Sequence, residues 1–188
     1  GLDSTRRHDP SPRVEHPRDR VLTPSEIRKL WGVLSHFPST AERQAPGRKR
    51  RTEANGVPFC PLSKALAAVQ KIRLMTAQRG GEVVRMRWAD LDLQDGWWTV
   101  PPEHAKNNRT HRVPLRADAI ELLKAQQPDE HLRGEFVFVG RQGALVEDRV
   151  KKAGAALSRV LGFEFRSHDL RRTASTAMAA AGIPRAHI

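Results

Sequence analysis

Several things are scarce in this sequence. It holds one cysteine, Cys60, and no tyrosine, and its aromatic content is six Phe and four Trp. A single cysteine excludes an intramolecular disulfide and any cysteine-based zinc cage, so a reducing cytoplasm is the expected compartment. No apolar run approaches the ~18 residues needed to span a bilayer, and the opening GLDSTRRHDP lacks the apolar stretch of a signal peptide. Acidic residues are also in deficit: 21 Asp+Glu face 33 Lys+Arg, giving a formal net charge of +12. What is abundant is arginine, 25 of it against 8 Lys. Its planar fork matches phosphate, and the charge predicts a polyanionic partner, most simply nucleic acid. A high-GC coding sequence would give the same skew. With 188 residues the chain suits one domain of roughly 100–200 residues plus an arm.

Residues 1–20 mix Pro, Arg and Asp with almost no apolar side chains and read as a linker or arm. A helix start follows at Thr23-Pro24-Ser25-Glu26. Thr23 is in capping position, Pro24 suits the first helical residue, and Glu26 completes a capping box. Residues 38–61 are interrupted by Pro and Gly around the basic run Arg48-Lys49-Arg50-Arg51 and read as a loop. Leu66, Val69, Ile72 and Met75 mark one face of a helix ending near Gly80-Gly81, and a short helix with Val83, Val84 and Met86 comes next. Strand signals lie at 97–100 and 111–115 around a polar tip, and a third at 136–139. Ile120, Leu122 and Leu123 belong to a further helix. Another carries Val150, Leu157, Val160 and Leu161 and stops at Gly162; the last runs from an N-cap at Ser167 to Gly182. The predicted class is α+β, mainly α-helical with a small three-stranded antiparallel sheet.

Three basic segments sit at structural transitions. Arg79 lies between two helices beside Gly80 and Gly81, where backbone can approach an anion closely. Lys106 occupies the hairpin tip HAKNNRTHRVPL. His168 and Arg171, three apart, share a face at the start of the last helix. Converging, they would bind a phosphate that gains charge in its transition state. Each alone has a plainer explanation: a surface arginine, a solvated hairpin tip, an ordinary first helical turn in which Asp169 is a favourable acid.

As a set, TAQRGGEVVRMRWADLDL (residues 76–93), KNNRTHRVPL (106–115), SHDLRRTASTAMAAAGI (167–183) and the opening LTPSEIRKLW (22–31) resemble the boxes of the tyrosine recombinases, the phage-integrase family, in order and spacing over about residues 20–188. The resemblance implies the family's catalytic-domain fold for residues 21–188, with residues 1–20 the linker from a separate N-terminal core-binding domain. It implies that Arg79 and Arg171 clamp a scissile DNA phosphate, Lys106 protonates the 5′-hydroxyl leaving group, and His168 transfers a proton. Glu82 would support the first arginine. Arg48, Lys49, Arg50, Arg51 and Arg172 are candidate DNA contacts. No metal or nucleotide cofactor is implied, because a covalent 3′-phosphotyrosine conserves the energy of the broken bond. The implied setting is a cytoplasmic, nucleoid-associated protein of a bacterium or phage, acting on duplex DNA as a tetramer on paired sites, with no membrane partner.

The sequence departs from the family's pattern at its end. There the family carries a second His or Trp and then the nucleophilic Tyr, whereas this chain contains no Tyr. His187 falls too early for that box and reads as an ordinary helix residue. The expectation is therefore a catalytic domain cut before its nucleophile and inactive by itself. Two other readings stay open. TASTAMAAAGIPRAHI has the pattern of a helix-turn-helix, which would make the chain a non-catalytic duplex-DNA binder. His104, His111 and His168 could serve a histidine-metal nuclease, although no clustered carboxylates accompany them.

Overall fold

The structure, a computed structural model, describes residues 19–39, 52–54, 56–127, 134–140 and 143–184. Helix α1 (Pro24–Ser35) opens on the expected capping box. The Thr23 hydroxyl accepts from the Glu26 N–H at 3.3 Å and the Glu26 carboxylate accepts from the Thr23 N–H at 2.9 Å. Leu30, Val33 and Leu34 are its buried face. Within the stretch expected to be loop, β1 (Glu53–Ala54) and β2 (Val57–Pro58) pair antiparallel around Gly56. The basic run Arg48–Arg51 lies outside the described residues.

Helix α2 (Lys64–Thr76) starts at Ser63, whose hydroxyl accepts from the Leu66 N–H. It ends three residues before the glycine pair, at Ala77, which takes the left-handed conformation at φ 55° and is fully buried. Gly80 and Gly81 instead open the short helix α3 (Gly80–Val84), because other side chains press on them. A Cβ at Gly80 would lie 2.8 Å from Val150 Cγ1, and one at Gly81 would lie 2.9 Å from a Glu147 carboxylate oxygen. These glycines serve close approach, not termination.

The three-stranded antiparallel sheet has the order β3 (Leu91–Asp92), β4 (Trp97–Val100), β5 (His111–Pro114). The strand pattern in the sequence placed the third strand at residues 136–139, and this is corrected. Phe136 makes only an isolated bridge with Arg87, while β6 (Val139–Gly140) pairs with β7 (Gly143–Ala144) in a separate ladder. The true third strand is set by a tight turn, in which the Asp92 carboxylate accepts from the Asp95 N–H and Gly96 takes φ 72°.

Helix α4 is Ala117–Lys124, α5 is Glu147–Leu161 ending at left-handed Gly162, and α6 is Ser167–Ala180 followed by left-handed Gly182. Arg166, not Ser167, is the cap residue of α6. The Asp169 carboxylate accepts its N–H at 2.8 Å and leaves Ser167 as the first helical residue.

Helix α2 lies between two cores. One gathers Leu66, Val69 and Ile72 with Val83, Met86, Trp98, Val113, Leu123, Phe138 and Val150. The other gathers Ala67 with Leu22, Leu30, Leu34, Leu157, Phe165 and Leu170. The fold is thus α+β and mainly helical, and α2 touches α1, α3, α4, α5 and α6. Ile72 has no exposed surface. Truncating Ile72→Ala is expected to lower stability by about 2–5 kcal/mol in urea unfolding with an unchanged m-value. A loss under about 1 kcal/mol would mean that α2 does not knit the two cores.

Candidate functional site

The site is built from the segment Ala77–Arg79, which joins α2 to α3. Arg79 occupies the cap position of α3, and Glu82 secures it twice. One carboxylate oxygen accepts the Arg79 backbone N–H at 3.0 Å, and the other accepts guanidinium Nη1 at 3.2 Å. Glu82 is buried, 3% exposed, whereas the Arg79 side chain is 42% exposed. A carboxylate so enclosed requires a partner, so the arginine is held at its base with much of its guanidinium facing outward.

Helix α6 brings the second arginine to the same segment. Arg171 Nη1 donates to the Ala77 carbonyl oxygen at 2.6 Å. Burial, with the neighbouring Arg79 charge, lowers the Arg171 pKa, and Glu82 opposes the effect. Arginine remains protonated despite this, so two like charges are held side by side. His168 lies one turn earlier at the surface. Partial burial of the ring, then Arg172, Arg171 and Arg73, hold its pKa below the ordinary histidine value against the pull of Asp169. Near neutrality the imidazole is therefore uncharged and able to accept a proton.

Lys106 stands apart. It is exposed on the hairpin tip, directly after Ala105, whose methyl is buried in the larger core. The hairpin is rooted near the arginines at one end: His111 Nε2 donates to the Gln78 side-chain oxygen at 3.1 Å, and Gln78 precedes Arg79. At the other end Arg87 donates to His104 Nε2 at 3.2 Å. The fold thus joins Arg79 to Glu82 directly, brings Arg171 to the same segment through the Ala77 carbonyl, and sets His168 beside them. The Lys106 ammonium touches none of these four.

Of the other candidates, Arg172 is paired with Asp19 at 3.2 Å. Beside His168 an open groove of about 720 Å³ runs along α5, lined by Lys151, Arg159 and Arg166 among others. Of the three histidines of the metal-nuclease reading, His104 is bonded to Arg87 and His111 to Gln78. Among the described residues no group of three or more His, Cys, Asp or Glu could hold a metal ion. For the helix-turn-helix reading, the second helix falls on residues 185–188, which with His187 lie outside those described. No described helix is long and apolar enough to cross a membrane.

Two residues of this neighbourhood are not picked out by sequence patterns as site residues. Gln78, 8% exposed, gives no signal of its own. Arg73 gives one: it stands four residues after Val69 and seven after Leu66, so it is a cation placed on an apolar stripe.

Comparison with known proteins agrees with this architecture. Prophage integrase IntA of Escherichia coli is 35% identical over 113 residues, covering 60% of this chain and 27% of the integrase. The integrase of Salmonella phage P22 is 29% identical over 132 residues, covering 63% of this chain and 33% of its own length. Tyrosine recombinase XerC of Xanthomonas campestris is 28% identical over 134 residues, 71% and 37% respectively. The chain therefore spans about a third of the length of these relatives. Among solved structures, XerA recombinase superposes with TM-score 0.60 at 18% identity over 89% of this chain and 53% of that one. A lambda integrase dimer bound to a core site superposes with TM-score 0.57 at 20% identity, over 86% and 53%. XerH site-specific recombinase bound to its difH substrate gives TM-score 0.60 at 20% identity, over 86% and 43%. At such identities the structural likeness speaks for the fold, and the family is decided by the sequence: the model of the phage integrase family matches residues 54–188, and the chain belongs to that family.

Proposed function

We propose that this chain is the phosphate-activating part of a site-specific DNA recombinase of the tyrosine type. The observation that carries the reading is the meeting of two arginines at one segment. Arg171 is bonded to the Ala77 carbonyl two residues from Arg79, and both cations are retained side by side despite their repulsion. A site that holds two guanidinium groups against one carboxylate keeps an excess of positive charge and is preorganised for an anion, most strongly for one that gains charge as it reacts. The similar structures of lambda integrase bound to a core site and of XerH bound to difH support duplex DNA as that anion, as does the net charge of +12.

In this reading Arg79 and Arg171 hold the nonbridging oxygens of one backbone phosphate. A tyrosine oxygen attacks phosphorus while the bond to the 5′-oxygen breaks, leaving a 3′-phosphotyrosine and a free 5′-hydroxyl. Lys106 gives its proton to the departing 5′-oxygen, reached through its exposed, flexible side chain. His168, neutral near pH 7, takes up the proton of the attacking hydroxyl. Glu82 orients Arg79. Since none of the 188 residues is tyrosine, the nucleophile is contributed from outside them. Residues 1–20 act as the arm to a core-binding domain and 21–188 as catalytic domain. The whole protein works as a tetramer on paired sites in the nucleoid, and Arg48–Arg51 and Arg172 add backbone contacts.

Two measurements test this. The affinity of the 188-residue chain for a short duplex, followed by fluorescence anisotropy, is expected to fall about tenfold or more between 50 and 200 mM salt through counterion release; a flat response would remove duplex phosphates as the ligand. In the recombinase that supplies the tyrosine, Arg171→Ala is expected to reduce strand cleavage by about a hundredfold or more while duplex affinity stays within a few-fold. Cleavage close to the parent rate would show that the phosphate is held elsewhere.

A further inference from the structure

Arg73 has no part in the chemistry proposed for the site, yet it is the only cationic side chain among the described residues to be fully buried, 2% exposed. It lies one turn before Ala77 on α2. Its Nη1 donates to the Gln70 side-chain oxygen at 2.9 Å, and its Nη2 donates to the Ser167 carbonyl in the first turn of α6. Its Nε is enclosed without an acceptor. The first residue of α3 passes directly over it: a Cβ on Gly80 would lie 3.4 Å from that Nε and 3.5 Å from Cζ. The acid nearest in effect, Glu147, is 45% exposed and engaged with Lys151 at 3.3 Å.

Burying a cation with so little compensation is costly, and an apolar side chain of similar length would fill the space without that cost. What an apolar side chain lacks is a planar fork that bonds two helices at once. We propose that Arg73 is a positioning residue whose fork ties the start of α6, the helix carrying His168 and Arg171, to α2, where Gly80 at the start of α3 packs over it beside Arg79. The inference rests on the phosphate-transfer reading, in which the spacing of the two arginines sets the rate.

The brace is charged under working conditions. Burial and Arg171 bring the Arg73 pKa down to about 10, still well above neutrality. It also belongs to the field on His168. That ring is faced by Arg171, Arg172 and Asp169 from its own helix and by Arg73 from α2. Across the groove it meets Lys151 and Arg159 of α5 and Glu164 and Arg166 of the connecting segment. Replacing Arg73 by an apolar side chain of similar length removes this charge from the field on His168, so the titration reads the charge, while a replacement that keeps the charge and loses the fork reads the brace.

The test compares the parent with Arg73→Met and Arg73→Lys. The His168 ring is titrated by nuclear magnetic resonance in the 188-residue chain, and single-turnover strand cleavage is measured in the tyrosine-bearing recombinase. In Arg73→Met, His168 is expected to titrate about half a pH unit higher or more. Cleavage should fall about tenfold or more, with duplex affinity within about twofold. Arg73→Lys keeps the charge but cannot span both acceptors, so His168 is expected to stay within about 0.2 units of the parent while cleavage remains reduced about fivefold or more. A folded Arg73→Met chain in which His168 does not move overturns the proposal, as does cleavage lost only in proportion to folded protein. Should Arg73→Met not fold, Arg73→Lys decides: cleavage at the parent rate overturns the brace. A parent recombinase that cleaves no DNA counts against the phosphate-transfer reading instead, and the His168 titration still tests Arg73.

Discussion

The left-handed turn at Ala77 is where helix packing becomes site geometry. An L-residue in that conformation is disfavoured by roughly 1–2 kcal/mol, yet Ala77 adopts it with no exposed surface. The surrounding packing over-determines it. The turn ends α2, with the Ala77 N–H bonded back to the Arg73 carbonyl at 3.0 Å, and delivers Arg79 to the cap of α3. It leaves the Ala77 carbonyl to accept from Arg171. One backbone excursion therefore fixes the positions from which two arginines, distant in sequence, reach the same space. Conformational strain of this size concentrates where function requires a particular backbone path.

Around that turn the molecule concentrates like charge and does not fully neutralise it. Arg79 has Glu82, whereas among the described residues Arg171 donates to the Ala77 carbonyl and Arg73 to an amide oxygen and a carbonyl. Arg171 and Arg73 both show lowered pKa values caused by burial and by one another or by Arg79. Such an arrangement works against folding and for anion binding. In the proposed reading, a phosphate entering beside Arg79 and Arg171 relieves the repulsion, and added negative charge in a transition state relieves it further. Neutral dipoles and a single buried carboxylate hold the cations in place while leaving most of their positive potential unspent.

Much of this architecture is legible in the amino-acid sequence. The Thr23–Glu26 capping box, the helix stops at Gly162 and Gly182, and the hairpin at 97–115 follow from local chemistry, and each is present. The third strand is not legible in the same way. The apolar stretch at 136–139 misleads, because Phe136 and Val137 are buried or bridged by contacts with Arg87 and Met86, distant in sequence. The strand's real location is written in the Asp92–Gly96 turn, a signal outweighed by that longer stretch. Gly80 and Gly81 illustrate a deeper limit. Glycine as terminator and glycine as contact surface look alike in one dimension, and only Val150 and Glu147, some seventy residues away, distinguish them. The order of Arg79, Lys106, His168 and Arg171 is readable from sequence; Arg73 shows there only as a cation on an apolar stripe, and the Ala77 carbonyl that receives Arg171 does not show at all.

The site's cations differ in how firmly they are held, and the difference suits the chemistry proposed for each. Arg79 and Arg171 are anchored to buried or backbone acceptors on packed helices, as groups must be when their worth lies in fixed geometry. Lys106 directly follows Ala105, whose methyl is buried in the larger core, on a hairpin also held through Gln78–His111 and Arg87–His104, and its own side chain is exposed. A proton donor to a leaving oxygen has to be in place only while that bond breaks, and an ammonium on a flexible stem can approach and withdraw. In the proposed reading, charge stabilisation fixed on the helices and an acid on a flexible side chain of the hairpin also separate the two functions in sequence. The anchors of the two arginines, Glu82 and the Ala77 carbonyl, belong to α3 and the segment before it, so their geometry is preserved whichever way the Lys106 side chain turns.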